Sequence, residues 1–370
     1  MARLVIGTNK TATTPAVVRD VAPERYLSYS VSNGDLVHDT SVTSMIDLSG
    51  VTTLTIGYIL NAAFKNCTNI TGTLDFSNIT SISGVYACYQ MCMGCTGVTG
   101  VQIGFTTITG DYACNEMFSG CTGITGALDL SSITSISGNR CCIKMFNNCK
   151  ITSVDLSKLT TVTGGYACNS MFMGCTNLTT VDISLLTTVP AGAFGVQQHL
   201  QSMFAYTALT TITFQSLATL AANAACSQMF WNTTTLTSVY FPSLKSFGNN
   251  TNQFYNMLQG CTGVTVHFPS NVQSVIGSWS DVTNGFGGTN TTVLFDLPAT
   301  NTLTGADSVT YTRNPKYDTA TALAWKVGAY GTTNFTPAYY TSGTTDPAVS
   351  DTIYSDSACT TAVTTISSIA

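Results

Sequence analysis
Cys88, Cys92 and Cys95 are spaced so that three thiolates could meet one metal ion. A tetrahedral structural zinc site needs four ligands, and the Cys-x3-Cys-x2-Cys run offers only three. Two of these residues also belong to recurring series. Cys88, Cys114, Cys142, Cys168 and Cys226 form one; Cys67, Cys95, Cys121, Cys149, Cys175 and Cys261 form the other. Leu60, Thr207 and Thr233 occupy the same slots elsewhere, so cysteine alternates there with other small or apolar residues. Free cysteine is a small, readily buried hydrophobe, and reduced thiols packed in a core are the expectation.

A second series offers carboxylates: Asp47, Asp75, Asp129, Asp155 and Asp182, with Gln102 interrupting. If these residues lie on stacked strands about 4.8 Å apart, they form an outward acidic ladder. Calcium needs oxygens converging on one point, so the row reads first as a solvated, edge-protecting face. Further along, the same slot holds Thr213, Tyr240 and His267, with Trp231 nearby in sequence. This change from acidic to aromatic marks a candidate ligand-binding surface.

Catalytic equipment is sparse. The three histidines, His38, His199 and His267, are scattered, and Glu24 and Glu116 are the two glutamates. There is no Gly-x-Ser-x-Gly elbow, phosphate-binding loop or His-Glu-x-x-His. No catalytic residue, metal or cofactor is therefore expected. Charged residues make up 8 % of the chain and net charge is −5, with no basic stripe to displace phosphate counterions. Nucleic acid is excluded as a partner. No apolar run reaches the 18 or more residues of a membrane-spanning helix.

A repeat must position these residues. Its aromatic slot recurs at Phe64, Cys92, Phe118, Phe146, Phe172, Phe204, Phe230 and Leu258, at steps of 28, 26, 28, 26, 32, 26 and 28 residues. Such a period means stacked units that cannot bury their apolar faces alone. Eight copies begin near Tyr58, Tyr86, Tyr112, Arg140, Tyr166, Gln198, Ala224 and Asn252, after a half copy from Met45 to Leu54. Cys114, Met117, Phe118 and Cys121 fall at i, i+3, i+4 and i+7, the apolar stripe of a short helix. Asp111 and Asn139 stand where a helix would be capped, and Gly94, Gly120, Gly174 and Gly260 where it would end. Alternating segments such as Val154-Asp155-Leu156 predict short parallel strands. The 32-residue step carries an insertion, Pro190 to Gln198, expected to bulge from the helical side.

With its aromatic, Gly-Cys-Thr, apolar-Thr pair and strand, the phrase resembles the BspA-like leucine-rich repeats of bacterial surface proteins and of some phage and protist proteins. That resemblance implies an α/β leucine-rich-repeat solenoid with short parallel strands and short helices, and a binding role without shared catalytic residues. Family members on cell surfaces carry secretion signals. Here Leu4-Val5-Ile6 is too short for one, and synthesis in a cytoplasm is expected. Leu4-Val5-Ile6-Gly7, then Asn9-Lys10 and Thr13-Thr14-Pro15-Ala16-Val17-Val18, resembles the amino termini of structural proteins from tailed phages, which implies docking on a particle.

The expected organisation is an N-terminal docking or capping arm over 1–44, the solenoid over 45–276, a linker over 277–301 and a small all-β module over 302–370. That module is near the lower size for independent folding, so its Tyr and Trp residues serve either as core or as ligand contacts. The function expected is a non-catalytic phage fibre, spike or decoration protein located on the virion. Its partners would be other virion proteins through the arm, a host-surface glycan or protein, and further copies of itself. A bacterial cell-surface adhesin or filament subunit is the alternative. A glycan-degrading enzyme using Asp318, Asp346 or Asp351 is a minor one.

Overall fold
A computed structural model describes residues 29–32, 35–38, 43, 48, 50–190, 198–221, 224–247, 253–269, 272, 285–297, 302–313, 322–327, 339–343 and 347–369. Most of the N-terminal arm, Asp47, the insertion from 191 to 197, Asp318 and Asp346 lie outside the described residues. Within the arm, Tyr29–Ser32 pairs antiparallel with Asp35–His38.

The repeats stack as a parallel β-solenoid, and each contributes two strands and a turn segment. The first strands, among them Gly72–Phe76, Thr125–Asp129, Lys150–Asp155 and Thr180–Asp182, carry the outward ladder. The second are two-residue strands such as Ser135–Ile136 and Thr161–Val162, joined in an eight-stranded parallel sheet from Thr53–Leu54 to Ser246–Phe247. Their inward residues, Leu54, Ile82, Ile108, Ile136, Val162, Val189 and Leu220, are buried. Threonine hydroxyls run beside this sheet: Thr80, Thr106, Thr134, Thr160 and Thr187 each donate to a carbonyl of the preceding rung, at 2.9–3.2 Å. The abundance of threonine thus has a local reason.

The helices predicted from the i, i+3, i+4, i+7 stripe are absent from the described turn segments between Tyr58 and Gly260. Between Tyr58 and Cys67 the amides alternate in direction. Those of Leu60, Ala62, Phe64 and Asn66 donate to Ala87, Tyr89, Met91 and Met93 of the next rung, while Asn61, Ala63, Lys65 and Cys67 close turns onto the residue three before. Left-handed backbone recurs every four residues, at Tyr58, Ala62 and Asn66, then at Tyr86, Gln90 and Gly94. That reversal straightens the chain and turns every second amide outward. Spacing favours it over a helix. Paired strands sit about 4.8 Å apart, whereas packed helices need 8–10 Å. The amides of Leu60, Ala62, Phe64 and Asn66 reach carbonyls of the next rung at 2.6–2.7 Å, a backbone approach that packed helices cannot make.

The predicted caps are corrected in the same way. Asp111 Oδ1 accepts the amide of Asn139 one rung on, and Asn139 Oδ1 accepts that of Gly165, so these side chains link rungs instead of ending helices. Gly94, Gly120, Gly174 and Gly260 do adopt left-handed φ, as the last reversal of each turn segment.

The cysteines are core, with one refinement. Cys95, Cys121, Cys149, Cys175 and Cys261 donate Sγ–H to a carbonyl in the preceding rung, at 2.9–3.3 Å. Thr233 fills the same slot and donates to Phe204 O at 2.8 Å; Thr207 donates to that oxygen at 2.9 Å. The slot therefore selects a small donor, not merely a small hydrophobe. Burial pushes the Cys121 and Cys175 thiols up to about 12 and that of Cys261 to about 11. Since the thiolate is the nucleophile, these residues should be inert in the folded chain. In a thiol assay on native protein at pH 8, Cys359, half-buried where the other 13 are buried, is expected to react first; all 14 should react in denaturant. Several fast thiols in the native state would contradict the stacked core.

The stretch read as a linker, 277–301, contains one more rung. Phe286 lies 28 residues after Leu258 and is fully buried, Leu258 N donates to Phe286 O, and Thr292–Leu297 pairs in parallel with Thr265–Pro269. Gly288-Thr289 replaces Gly-Cys there, which hid the copy. Six antiparallel strands follow, Thr302–Gly305, Thr310–Arg313, Ala322–Val327, Tyr339–Ser342, Thr352–Tyr354 and Ala362–Ile369, and the first pairs with the last to close a barrel. Closure leaves no free strand edge. Trp325 and Tyr311 are buried, and Trp325 Nε1 donates to Thr341 Oγ1 at 2.9 Å, so both serve the barrel's core.

Candidate functional site
Strand alternation places Leu74, Leu128 and Val154 inward and turns Asp75, Asp129, Asp155 and Asp182 outward. Asp129, Asp155 and Asp182 are direct partners in a parallel register; Asp75 pairs with Gln102. Each carboxylate has a local task. Oδ1 accepts the amide two residues on, Ser77, Ser131, Ser157 or Ser184, at 2.8–3.0 Å. This Asx turn ends the strand and leaves Oδ2 without a backbone partner in the turn. The Ser77 and Ser131 hydroxyls and amides hold the Asp75 and Asp129 carboxyls below the usual range.

Because the folded pKa is depressed, this stabilisation is complete above an ordinary Asp pKa of about 3.9 and disappears as pH falls through the folded value. Asp129→Ala is expected to cost about 0.5 kcal/mol at neutral pH, small because the side chain is exposed. The difference in denaturation midpoint from the parent should shrink below about pH 3.9. A difference that persists undiminished at the acid end would mean that the charged Asx turn contributes nothing.

The change to aromatics also has a structural side. Asp-x-Ser gives way to Tyr240-Phe241-Pro242 and His267-Phe268-Pro269, where the residue two on has no amide to bind. Thr213, Tyr240 and His267 stand in one register. The Tyr240 and His267 rings stack at 4.4 Å and 11°. Trp231 is placed elsewhere, in the turn ladder, with its ring 5.3 Å from Tyr206. Thr213, Tyr240 and His267 are thus brought together, without Trp231.

A concavity lies at the junction of the acidic and aromatic stretches. Thr180–Asp182 and Thr211–Thr213 occupy different sheets, although the second strands and the turn segments remain paired across the same rungs. The opening coincides with the 32-residue step. It forms a groove of about 550 Å3 whose walls include Asp129, Asp155, Asp182, Ser184, Thr213 and Gln215. Ser184 is 8 % exposed and its hydroxyl has no hydrogen-bond partner among the described residues.

The sequence reading passed over a second ladder, at the head of each turn segment. Tyr58, Tyr86 and Tyr112 stack at 4.9 and 4.5 Å, and the Arg140 guanidinium sits over the rings of Tyr112 and Tyr166. All five residues have left-handed φ, a conformation rare for tyrosine. The recurrence of Tyr at the start of successive copies was the available signal.

Among known families, a model of the BspA-type leucine-rich repeat region matches residues 41–167 and 112–224, in six copies. The chain carries BspA-type leucine-rich repeats. The solenoid runs past the matched spans, since parallel strands continue through Thr265–Pro269 and Thr292–Leu297. No curated protein matches the chain.

Proposed function
We propose that the chain is a non-catalytic structural protein of a phage particle, a fibre, spike or decoration protein that meets the host surface. The observation that supports this most is the in-register stacking of the outward positions within each sheet of the solenoid. Each rung offers one outward side chain, held by paired strands and a buried core, so the molecule is a rigid ruler for display. BspA-type repeats suit a surface or adhesive role. The N-terminal arm would dock the chain on the particle, the barrel would cap or oligomerise it, and several copies would supply avidity. Mass spectrometry of purified particles tests the assignment, with absence of the chain sinking it. Its detection on uninfected bacteria would instead favour a cell-surface adhesin, for which the same repeats are suited.

A further inference from the structure
We infer that the groove where the outward sheet opens, between Thr180–Asp182 and Thr211–Thr213, is a binding site for a neutral or amino-sugar saccharide. This deepens the adhesive reading and rests on it. Four features converge. The groove, about 550 Å3, is of the size that takes a small ligand. Asp129, Asp155 and Asp182 stand in register along it, each with Oδ1 held by a turn amide; Asp155 and Asp182 keep Oδ2 available as a strong acceptor for O–H or N–H donors. Ser184, nine-tenths buried in the wall, carries a hydroxyl that no described residue satisfies. A buried polar group of this kind calls for a partner from outside.

The fourth feature is the aromatic end. Tyr240 is next in register after Thr213, which lines the groove. His267 covers one face of the Tyr240 ring; the short Thr213 side chain stands on the other side. A sugar lying over Thr213 would place its C–H face on that ring and its hydroxyls on the carboxylates. Among the described residues no basic side chain lines the groove, so sulfated and sialylated glycans are disfavoured. The carboxylates form a spaced row instead of converging, and no cluster of three metal-binding side chains exists among the described residues.

The full chain should be titrated by calorimetry with soluble oligomers of glucose, galactose, N-acetylglucosamine and glucosamine, and separately with sialyllactose and an oligolysine peptide. Binding to at least one neutral or amino-sugar oligomer is expected. Asp182→Asn keeps an oxygen for the Ser184 amide yet removes the charge; it and Tyr240→Ala should each weaken binding about tenfold or more. Tyr58→Ala, on the turn ladder, should leave it unchanged. Circular dichroism checks that each variant is folded. No binding to any of these oligomers, preference for sialyllactose or oligolysine, or indifference to both groove variants overturns the proposal. Particles that carry the chain and still adsorb when Asp182→Asn and Tyr240→Ala are introduced would remove this site while leaving the adhesive role standing. Absence from particles would remove the virion assignment instead.

Discussion

Gly138→Ala is expected to destabilise the solenoid by about 3 kcal/mol, the upper range for overpacking a filled site. Gly84, Gly110, Gly138 and Gly164 form a column at the corner between second strand and turn segment. An added Cβ at Gly138 would overlap the carbonyl oxygen of Gly110, and one at Gly164 that of Gly138. The obstacle is backbone of the preceding rung, which cannot swing aside like a side-chain end. Two rungs would have to separate, straining the strand pairs of Ser135–Ile136 with its neighbours. Gly100→Ala is the control, since its Cβ would meet only the Thr73 side chain, 3.2 Å away at its nearest atom. Guanidinium unfolding followed by far-UV circular dichroism should separate the two clearly. Equal midpoints would show that the corner has slack and that the column is incidental.

Phe146→Ala should cost about 4 kcal/mol, within the range for deleting a buried aromatic side chain. The ring is fully buried between Phe118 at 5.3 Å and Phe172 at 5.9 Å, nearly parallel to both. Its loss leaves a cavity and interrupts the stack that continues to Phe204 and Phe230. In a solenoid each unit touches only its neighbours, so stability is a sum of local and interface contributions. Weakening one interface should divide a single unfolding transition into two and lower hydrogen-exchange protection around the third to fifth copies. Phe146→Leu should cost less than about 1.5 kcal/mol, because leucine keeps most of the volume and Leu258 fills the slot in the eighth copy. A uniform loss of protection along the whole chain would show cooperativity longer in range than nearest-neighbour stacking.

The tyrosines at the head of the turn segments show where reading by residue type stops. A tyrosine with φ near +57° is not predictable from propensity, since glycine or asparagine would be the cheaper choice. Stacking on neighbours 4.5–4.9 Å away offsets that strain, and it exists only once the rungs are assembled. The Asp-x-Ser phrases were visible in the sequence as an outward row. Their turn-forming role became evident only from the Oδ1 contacts, and with it the reason why the aspartate is replaced ahead of Pro242 and Pro269.

The sequence alone determined the repeat, its period, which side chains are buried and which strand position points outward. Those properties depend on spacing within one copy, and spacing is written in the chain. It mistook the backbone of the turn segment because positions i, i+3, i+4 and i+7 face inward both on a helix and in a turn ladder with a reversal every four residues. The tertiary structure decided between them through the distance between rungs, too short for helices. It likewise decided the close glycine column, the rung hidden after Leu258 and the open groove beside Asp182, because each depends on how one copy meets the next.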